Sequence, residues 1–201
     1  RQDYRYRQVD VSDSRLLEKE LSQMFETVEK LDLVLLNAGV LGRIQDISLC
    51  STQQLKKEMD INMWANKTIL DFFIKKGIRL KQVIAISSGA SVNGSLGWNG
   101  YSLSKAALNM LIKLYAAEMQ DTHLSSLAPG LIGTEMLEGI LRGDHDTRRY
   151  SSVQSLRESE ANGLVLSPKE IVEKISLALP ELLKLQSGLF IDFRDMETKA
   201  L

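Results

Sequence analysis

Ser88, Tyr101 and Lys105 are the residues whose types and spacing best suit proton transfer, and they lie within SSGASVNGSLGWNGYSLSK, residues 87–105. Tyr101 and Lys105 are four residues apart, so on a helix their side chains share one face. An ammonium group close to a phenol favours the phenolate and lowers the pKa of the tyrosine from its ordinary value of about 10. A phenol tuned in this way can exchange a proton near neutral pH.

Ser88 ends the preceding predicted strand, where its hydroxyl can hydrogen-bond a carbonyl oxygen that gains charge. With Tyr101 and Lys105 it predicts a site that interconverts a carbonyl group and an alcohol. The alternative is an ordinary strand–loop–helix connection, because Y-x-x-x-K also occurs by chance. Asn62 is a further candidate, since it lies on the predicted buried face of a helix, where an amide needs partners. Its alternative role is a structural hydrogen bond to a neighbouring carbonyl.

The elements that must position these residues alternate between strands and helices, which predicts right-handed βαβ crossovers and a doubly wound α/β fold with a parallel sheet. The continuous apolar run LDLVLL favours a strand covered on both faces. The polar residues 131–167 are expected to form a substrate-binding loop with short helices, within one domain of residues 1–201. The predicted strands are 4–11, 31–36, 81–88, 122–128 and 188–193, and the predicted helices are 14–30, 52–76, 101–119 and 167–179.

Composition narrows the class of partner. Lys and Arg number 25 against 26 Asp and Glu, which gives no electrostatic reason to expect nucleic acid or an anionic membrane. No apolar run reaches the roughly 18 residues that a membrane helix needs. Cys50 is the single cysteine, so a reducing, cytoplasmic setting is expected. His123 and His145 lack the spacing of a metal site, so we expect no metal. The expected partner is a small-molecule substrate.

Six short pieces in this order resemble the short-chain dehydrogenase/reductase family across nearly the whole chain. They are DV (10–11), NAG (37–39), IN (61–62), ISS (86–88), YSLSK (101–105) and PGLIGT (129–134). The resemblance implies a Rossmann-type fold, a nicotinamide dinucleotide and hydride transfer at a carbonyl carbon.

One part of the family pattern is absent from these 201 residues. The turn T-G-x-x-x-G-x-G, which holds the pyrophosphate at a helix N-terminus, does not occur. The resemblance therefore implies an N-terminally incomplete fold that begins at the family's third strand. We expect the intact polypeptide to carry roughly 45 to 60 further residues at its front, and this stretch alone to bind dinucleotide poorly.

The resemblance also implies a role for each matched residue. Tyr101 would be the general acid in reduction, Lys105 would lower its pKa and hold the nicotinamide ribose, and Ser88 would orient the substrate carbonyl. Asn62 would hold a water through its backbone and link Lys105 to solvent. The other implied cofactor contacts are Asp10 and Val11 at the adenine, Asn37, Ala38 and Gly39 beside the sheet, Pro129 and Gly130 in the turn, and Ile132 and Thr134 at the carboxamide.

Two local features resemble the sepiapterin reductases and the fungal-type benzil or carbonyl reductases. Trp98 lies three residues before Tyr101, and SGLFIDFRD forms residues 187–195 near the end of the sequence. Asp192 matches an aspartate that anchors the pterin in sepiapterin reductases, and its alternative is a salt bridge with Arg194 or a bond to a loop amide. Trp98 is expected either to form a pocket wall or to pack within its loop. An apolar lid over the substrate is expected from Leu131, Met136, Leu137 and Ile140.

The resemblance thus implies an NADP(H)-dependent reductase of a ketone, a diketone or a pterin side-chain carbonyl, with NAD(H) left open. One alternative is an NAD-dependent alcohol dehydrogenase, and another is a non-catalytic dinucleotide-binding regulatory protein of the same fold. The complete set of Ser88, Tyr101 and Lys105 argues against the last, because binding alone does not need it. The resemblance also implies a homodimer that pairs helices 52–76 and 101–119.

Overall fold

Four parallel strands in a single sheet organise the molecule. The computed structural model describes residues 4–198, and its sheet has the order β1-β2-β3-β4. Each neighbouring pair of strands is parallel, so their carboxyl ends meet at one edge of the sheet. The predicted parallel α/β architecture is confirmed. The strands are β1 Lys30–Leu36, β2 Arg79–Ile86, β3 His123–Ala128 and β4 Phe190–Asp192.

The helices begin where the sequence provides caps. The Ser51 hydroxyl accepts from the Gln54 N–H, and Ser167 and Glu170 form a capping box, both as predicted. Within residues 4–198, no helix has the length and apolar character needed to cross a membrane. The helices are α1 Ser14–Met24, α2 Thr52–Met59, α3 Ala65–Lys76, α4 Ala90–Asn93, α5 Asn99–Glu118, α6 Glu135–Arg142, α7 Ser151–Ala161, α8 Pro168–Leu182 and α9 Phe193–Thr198, with a 3₁₀ turn at Ile47–Leu49 and a π turn at Asp60–Trp64.

Helices cover both faces of the central strands. On one face, Val83 of β2 packs against apolar side chains of α3 and α5, among them Leu70 and Ile112. On the other face, Leu127 of β3 belongs to a cluster with Leu182 of α8. A third apolar cluster joins α6 and α7 at the carboxyl edge of the sheet. Strand β2, which leads to Ser88, is therefore held between two packed layers, and α5, which carries Tyr101 and Lys105, belongs to one of them.

The prediction of a strand at 4–11 is wrong. Residues 4–10 have no regular secondary structure, and a turn follows at Val11 before α1. A β-strand needs a neighbour to accept and donate its backbone hydrogen bonds. The four described strands pair only with one another, so this segment has no strand beside it. The predicted helix after it is also shorter, since α1 ends at Met24.

The prediction that the first sheet strand is covered on both faces is also wrong. Leu36 of β1 is buried in the cluster formed with α3 and α5. Leu33 and Leu35 are 40% and 50% exposed. Strand β1 is at the edge of the described sheet, and α8 packs over Ile84 and Leu127 of β2 and β3 instead. An apolar run thus indicates where a strand lies but not which of its faces a helix covers.

Candidate active site

Helix α5 meets the end of β2 with one face, which brings the three predicted catalytic residues together. Lys105 Nζ donates to the backbone oxygen of Ile86 at 2.7 Å. It also lies 5.8 Å from the centroid of the Tyr101 ring. The Ser88 hydroxyl is near enough to the Tyr101 phenol to lower its pKa. A phenol, a hydroxyl and an amine therefore share one site at the carboxyl edge of the sheet.

Burial dominates the electrostatics of this site. It raises the pKa of Tyr101 above its ordinary value, although Ser88 acts in the opposite direction. Burial also lowers the pKa of Lys105 to about 8, because the side chain is removed from water. The predicted net lowering of the pKa of Tyr101 is therefore wrong for this structure. Desolvation of the phenol outweighs any attraction from an ammonium group whose own charge is destabilised.

Asn62 lies in the π turn between α2 and α3, a widened turn of the kind often found at functional sites. Its side chain is fully buried. Oδ1 accepts from the Val40 N–H at 2.8 Å, while Nδ2 donates to the Val40 oxygen and to Ser104 Oγ, each at 2.9 Å. The Asn62 carbonyl accepts from Asn66 Nδ2 at 2.8 Å. The side chain thus makes the structural bond to a carbonyl that was the alternative to a catalytic role.

Gly39 leaves room beside these groups. A Cβ at this position would lie 3.4 Å from both Asn62 Oδ1 and Lys105 Nζ. Asn37 and Ala38, which precede it, are exposed at the end of β1. The absence of a side chain at Gly39 keeps the space in front of Lys105 open, so this turn fits a nicotinamide ribose approaching the amine.

The turn after β3 leaves backbone groups available on the same edge. Pro129 is buried and Gly130 has a φ of 90°, which favours glycine. Ile132 pairs with Leu166 in an isolated parallel bridge that uses the Leu131 oxygen and the Gly133 N–H. The N–H and C=O of Ile132 itself therefore point away from Leu166, as a carboxamide contact would require. The Thr134 hydroxyl, in contrast, caps α6 by accepting from the Leu137 N–H at 3.4 Å.

Asp10 and Val11 lie outside this cluster, in the turn before α1. The Asp10 carboxylate accepts from Ser12 N and Ser12 Oγ at 3.0 and 2.7 Å. These bonds hold the pKa of Asp10 below its usual value. The turn is exposed at Asp10, which leaves the carboxylate accessible but does not bring it to Lys105.

A cavity of about 620 Å³ opens at Gly39 and runs between the segment after β1 and helix α6. Met136 and Ile140 of the predicted lid line it, together with Val40, Leu41 and Ile44. Leu137 instead belongs to the buried cluster of α6 and α7. The cavity walls combine these apolar side chains with Arg43, Glu135, Asp144 and His145, so they can contact both apolar and polar groups of a bulky substrate.

Trp98 and Asp192 border the site from two sides. The Trp98 ring centroid lies 6.1 Å from that of Tyr101, and Nε1 donates to Ser152 Oγ at 2.7 Å. Asp192 accepts from Arg194 Nε at 2.9 Å and from Nη2 at 2.6 Å. Nη2 is 3.4 Å from where a Cβ on Gly89 would lie, next to Ser88. Trp98 thus packs on α7 while facing Tyr101, and Asp192 makes the salt bridge that was the alternative to substrate binding.

Asn109 is a site residue that the family motifs do not identify. It lies one helical turn after Lys105, on the same face of α5. Its side chain bonds to Ser87 at 2.6 Å and to Ser91 at 2.8 Å, on either side of Ser88. The spacing of four residues from Tyr101 through Lys105 to Asn109 was the available signal, but its meaning depends on what α5 packs against.

Glu58 is a second residue that the motifs do not identify. Its carboxyl is buried against Gly100, where a Cβ would lie 2.7 Å from Oε2. Burial raises the pKa of Glu58, and hydrogen bonds from Gln54 and from the Gly42 backbone act against that rise. No sequence signal marks this contact, since a glutamate on an amphipathic helix is ordinarily exposed.

Known proteins resemble the chain in both sequence and fold. A sequence family described as short chain dehydrogenase matches residues 1–144. A benzil reductase ((S)-benzoin forming) of Saccharomyces cerevisiae is 30% identical over 149 residues, which cover 67% of this chain and 55% of that protein. Sepiapterin reductase of Bos taurus is 30% identical over 171 residues, covering 81% and 62%. The matched region is thus between about half and two thirds of the length of these relatives.

The solved structure of ElxO with NADP bound has the same fold. Its TM-score is 0.73 at 19% identity, and the match covers 94% of this chain and 76% of that one. The predicted resemblance to the family and to its benzil and sepiapterin reductases is confirmed.

Proposed function

Because the chain belongs to the short-chain dehydrogenase family, we propose that the protein is an NADP(H)-dependent carbonyl reductase. The observation that carries this proposal is the convergence of Ser88, Tyr101 and Lys105 beside the open turn at Gly39. A proton donor and a hydroxyl at one point, with space for a hydride source next to them, are the requirements for reducing a carbonyl.

Each of these residues has its own role in the proposed carbonyl reduction. The Tyr101 phenol donates its proton to the oxygen of the carbonyl as negative charge develops there, and Ser88 hydrogen-bonds the same oxygen. Lys105 has a pKa of about 8, so its amine holds and releases a proton close to neutral pH. Asn62 fixes the segment at Val40 through its side chain, and its backbone carbonyl, which also accepts from Asn66 Nδ2, is assigned to a water that returns protons to Lys105.

The residues present fit the nicotinamide half of a dinucleotide. Lys105 faces the open space at Gly39, and the backbone groups of Ile132 point away from their bridge partner. When bound, the reduced nicotinamide supplies the hydride. Support for NADP(H) comes from the resembled reductases and from a structure of the same fold that holds NADP. The remaining proposed contacts are Asp10, Val11, Asn37, Ala38, Pro129, Gly130 and Thr134.

We further propose that the substrate is a bulky ketone or diketone, or a pterin with a side-chain carbonyl. The apolar side of the cavity, formed by Val40, Leu41, Ile44, Met136 and Ile140, and the Trp98 ring beside Tyr101 suit an aromatic group. On the opposite side the substrate meets Asp192 together with Arg194, because the two form one hydrogen-bonded pair. Residues 131–167 act as the substrate-binding loop of one domain that includes the whole chain.

A cytoplasmic homodimer is part of the same proposal. Leu103, Met110 and Leu114 of α5 are more than half exposed, and Trp64 at the start of α3 is nearly so. Their spacing places the three α5 residues on one outward face. Pairing of α3 and α5 with a second copy would remove this apolar surface from water. The single half-buried Cys50 suits a reducing compartment.

The function is tested on the full-length protein with NADPH or NADH and three carbonyl substrates: benzil, sepiapterin and a small aliphatic ketone. We expect oxidation of NADPH with benzil or sepiapterin, slower oxidation of NADH, and little turnover of the aliphatic ketone. Faster reaction with NADH and an alcohol would favour the alcohol dehydrogenase. Binding of dinucleotide without any turnover would favour the regulatory protein, and no binding at all would overturn the proposal.

A further inference from the structure

Helix α5 contacts the end of β2 at three points, spaced by one helical turn. Tyr101 lies near Ser88, Lys105 bonds to the oxygen of Ile86, and Asn109 bonds to Ser87. The first two contacts belong to the proposed reaction. The third contact, from Asn109 to Ser87, has no role in that reaction, although it reaches the same short segment of chain.

The directions of the hydrogen bonds around Asn109 are fixed by chemistry. Its Oδ1 accepts from the Ser87 hydroxyl at 2.6 Å, and its Nδ2 donates to Ser91 Oγ at 2.8 Å. A hydroxyl has one proton, and Ser91 uses it to donate to the Ser88 carbonyl at 2.6 Å. The amide at position 109 accepts from one serine and donates to the other, so the order of donors follows from that side chain.

This chain of hydrogen bonds reaches Ser88 at its backbone carbonyl. The Ser88 carbonyl accepts from Ser91 twice, from Oγ at 2.6 Å and from the backbone N–H at 2.9 Å, and Ser88 Oγ accepts from the Ala90 N–H at 3.2 Å. One lone pair of the hydroxyl is thereby occupied, while its proton is free to donate toward Tyr101 or a substrate oxygen. The bonds that begin at Asn109 therefore reach the Ser88 carbonyl through Ser91 Oγ, while the Ser88 hydroxyl is held by the Ala90 N–H of the same loop.

We propose that Asn109 is a positioning residue that sets the orientation of Ser88 through Ser91. The idea rests on the proposed carbonyl reduction, in which Ser88 both orients the substrate and lowers the pKa of Tyr101. Ser87 is almost fully buried and continues the sheet by donating its N–H to the Leu127 oxygen at 2.8 Å. Asn109 thus ties the loop that bears Ser88 to a rigid strand end.

Two substitutions break the same link in different ways. Ser91→Ala removes the hydroxyl that holds the Ser88 carbonyl. Asn109→Asp keeps the bond from Ser87, but a carboxylate only accepts, so Ser91 turns its proton toward position 109 and away from Ser88. We expect each variant of the full-length protein to lose about tenfold in kcat for benzil, with KM and NADPH affinity changed less than about twofold. The double variant should lose no more than either single one, because both act through one bond.

A titration separates positioning from simple loss of stability. Tyrosinate absorbance of the Ser91→Ala protein, minus that of its Tyr101→Phe counterpart, reports the pKa of Tyr101 without any turnover. We expect this pKa to rise, since a displaced Ser88 no longer lowers it. The alkaline limb of kcat should shift to higher pH in the same variant.

Ser176→Ala is the matched control, because Ser176 Oγ also donates to a backbone carbonyl, that of Val172 at 2.7 Å, but on α8 away from the site. We expect it to leave kcat and the titration unchanged. The proposal would be overturned if folded Ser91→Ala and Asn109→Asp proteins had the same kcat and the same Tyr101 titration as the control. It would also be overturned if a lower melting temperature were the only change in these two variants. A shifted Tyr101 titration in a protein that reduces no carbonyl would refute the proposed function while keeping the positioning role.

Discussion

The catalytic wall and the mouth of the site are built in different ways. The catalytic wall consists of Ser88, Tyr101, Lys105 and Asn109, where α5 meets the end of β2. We call the link between Asp46 and the start of α7 the mouth, because Tyr150 beside it belongs to the same apolar cluster as Leu41 and Ile44, which line the cavity. Lys105 is only 3% exposed, whereas the Arg149 side chain, which donates from Nε to Asp46 at 2.9 Å, is 52% exposed.

The difference follows from access to water. A buried donor in the wall that loses its partner finds no water to replace it, so each bond fixes one geometry. At the mouth, water competes with the bond between Arg149 and Asp46, so opening costs little. We infer that the wall determines the reaction and that the mouth determines entry, and the following predictions test this division from the largest expected effect to the smallest.

Tyr101→Phe is expected to have the largest effect, with a loss of roughly a thousandfold in kcat, because it removes the proton donor and almost nothing else. Fluorescence titration with NADPH should give an affinity within about twofold of the unmodified protein, since the ring remains. Turnover within tenfold of the original rate would show that another group donates the proton.

Lys105→Met is expected to change the pH dependence of stability. The pKa of Lys105 falls from 10.5 in the unfolded chain to about 8 in the folded one, so the unfolded chain binds a proton that the native protein lacks between these values. The free energy of unfolding should therefore rise by about 2 kcal/mol between pH 8 and 10. Above that range the raised pKa of Tyr101 has the opposite effect.

Urea denaturation across this pH range checks the sign. The rise should disappear in Lys105→Met, which has no amine to deprotonate. A flat curve for the unmodified protein, or the same slope in the variant, would contradict a desolvated Lys105.

Gly100→Ala is expected to disturb the catalytic wall from the side where α5 packs on α2. A Cβ there would lie 2.7 Å from Glu58 Oε2 and 2.9 Å from Leu55 Cδ2, so these side chains of α2 or the start of α5, which carries Tyr101, must shift. We expect a loss of about 1 to 2 kcal/mol in the free energy of unfolding, measured in urea, and a lower kcat. Gly139→Ala in α6 is the control, because nothing lies within 4 Å of its Cβ position and alanine favours a helix. Equal effects of the two changes would mean that the Glu58 contact does not constrain α5.

Arg149→Ala is expected to have the smallest effect, because an exposed ion pair contributes little. The substitution removes the ion pair with Asp46 at the mouth. The Tyr150 hydroxyl, which donates to the same carboxylate at 3.1 Å, remains. KM for benzil should change by at most about fivefold while kcat stays constant. A large fall in kcat with unchanged KM would place the mouth in the chemical step and end the distinction.

How far the sequence predicts this protein depends on the distance over which each property is decided. The caps at Ser51 and Ser167 and the shared face of Tyr101 and Lys105 involve residues within four positions, and all are present as predicted. Coverage of β1 and the strand at 4–11 depend on distant neighbours, and both predictions were wrong. Asn109 has no motif of its own, because its importance comes from two serines on another element.

The sequence by itself determined the alternation of strands and helices after residue 13, the helix starts capped by Ser51 and Ser167, and the identity of the chemical groups at the carboxyl ends of the strands. Only the tertiary structure decided that the pKa of Tyr101 rises, that Asp192 pairs with Arg194, and that Asn109 reaches the loop of Ser88. Helix periodicity and capping are local rules of the backbone. Desolvation and hydrogen bonds between elements instead depend on which surfaces the fold brings into contact.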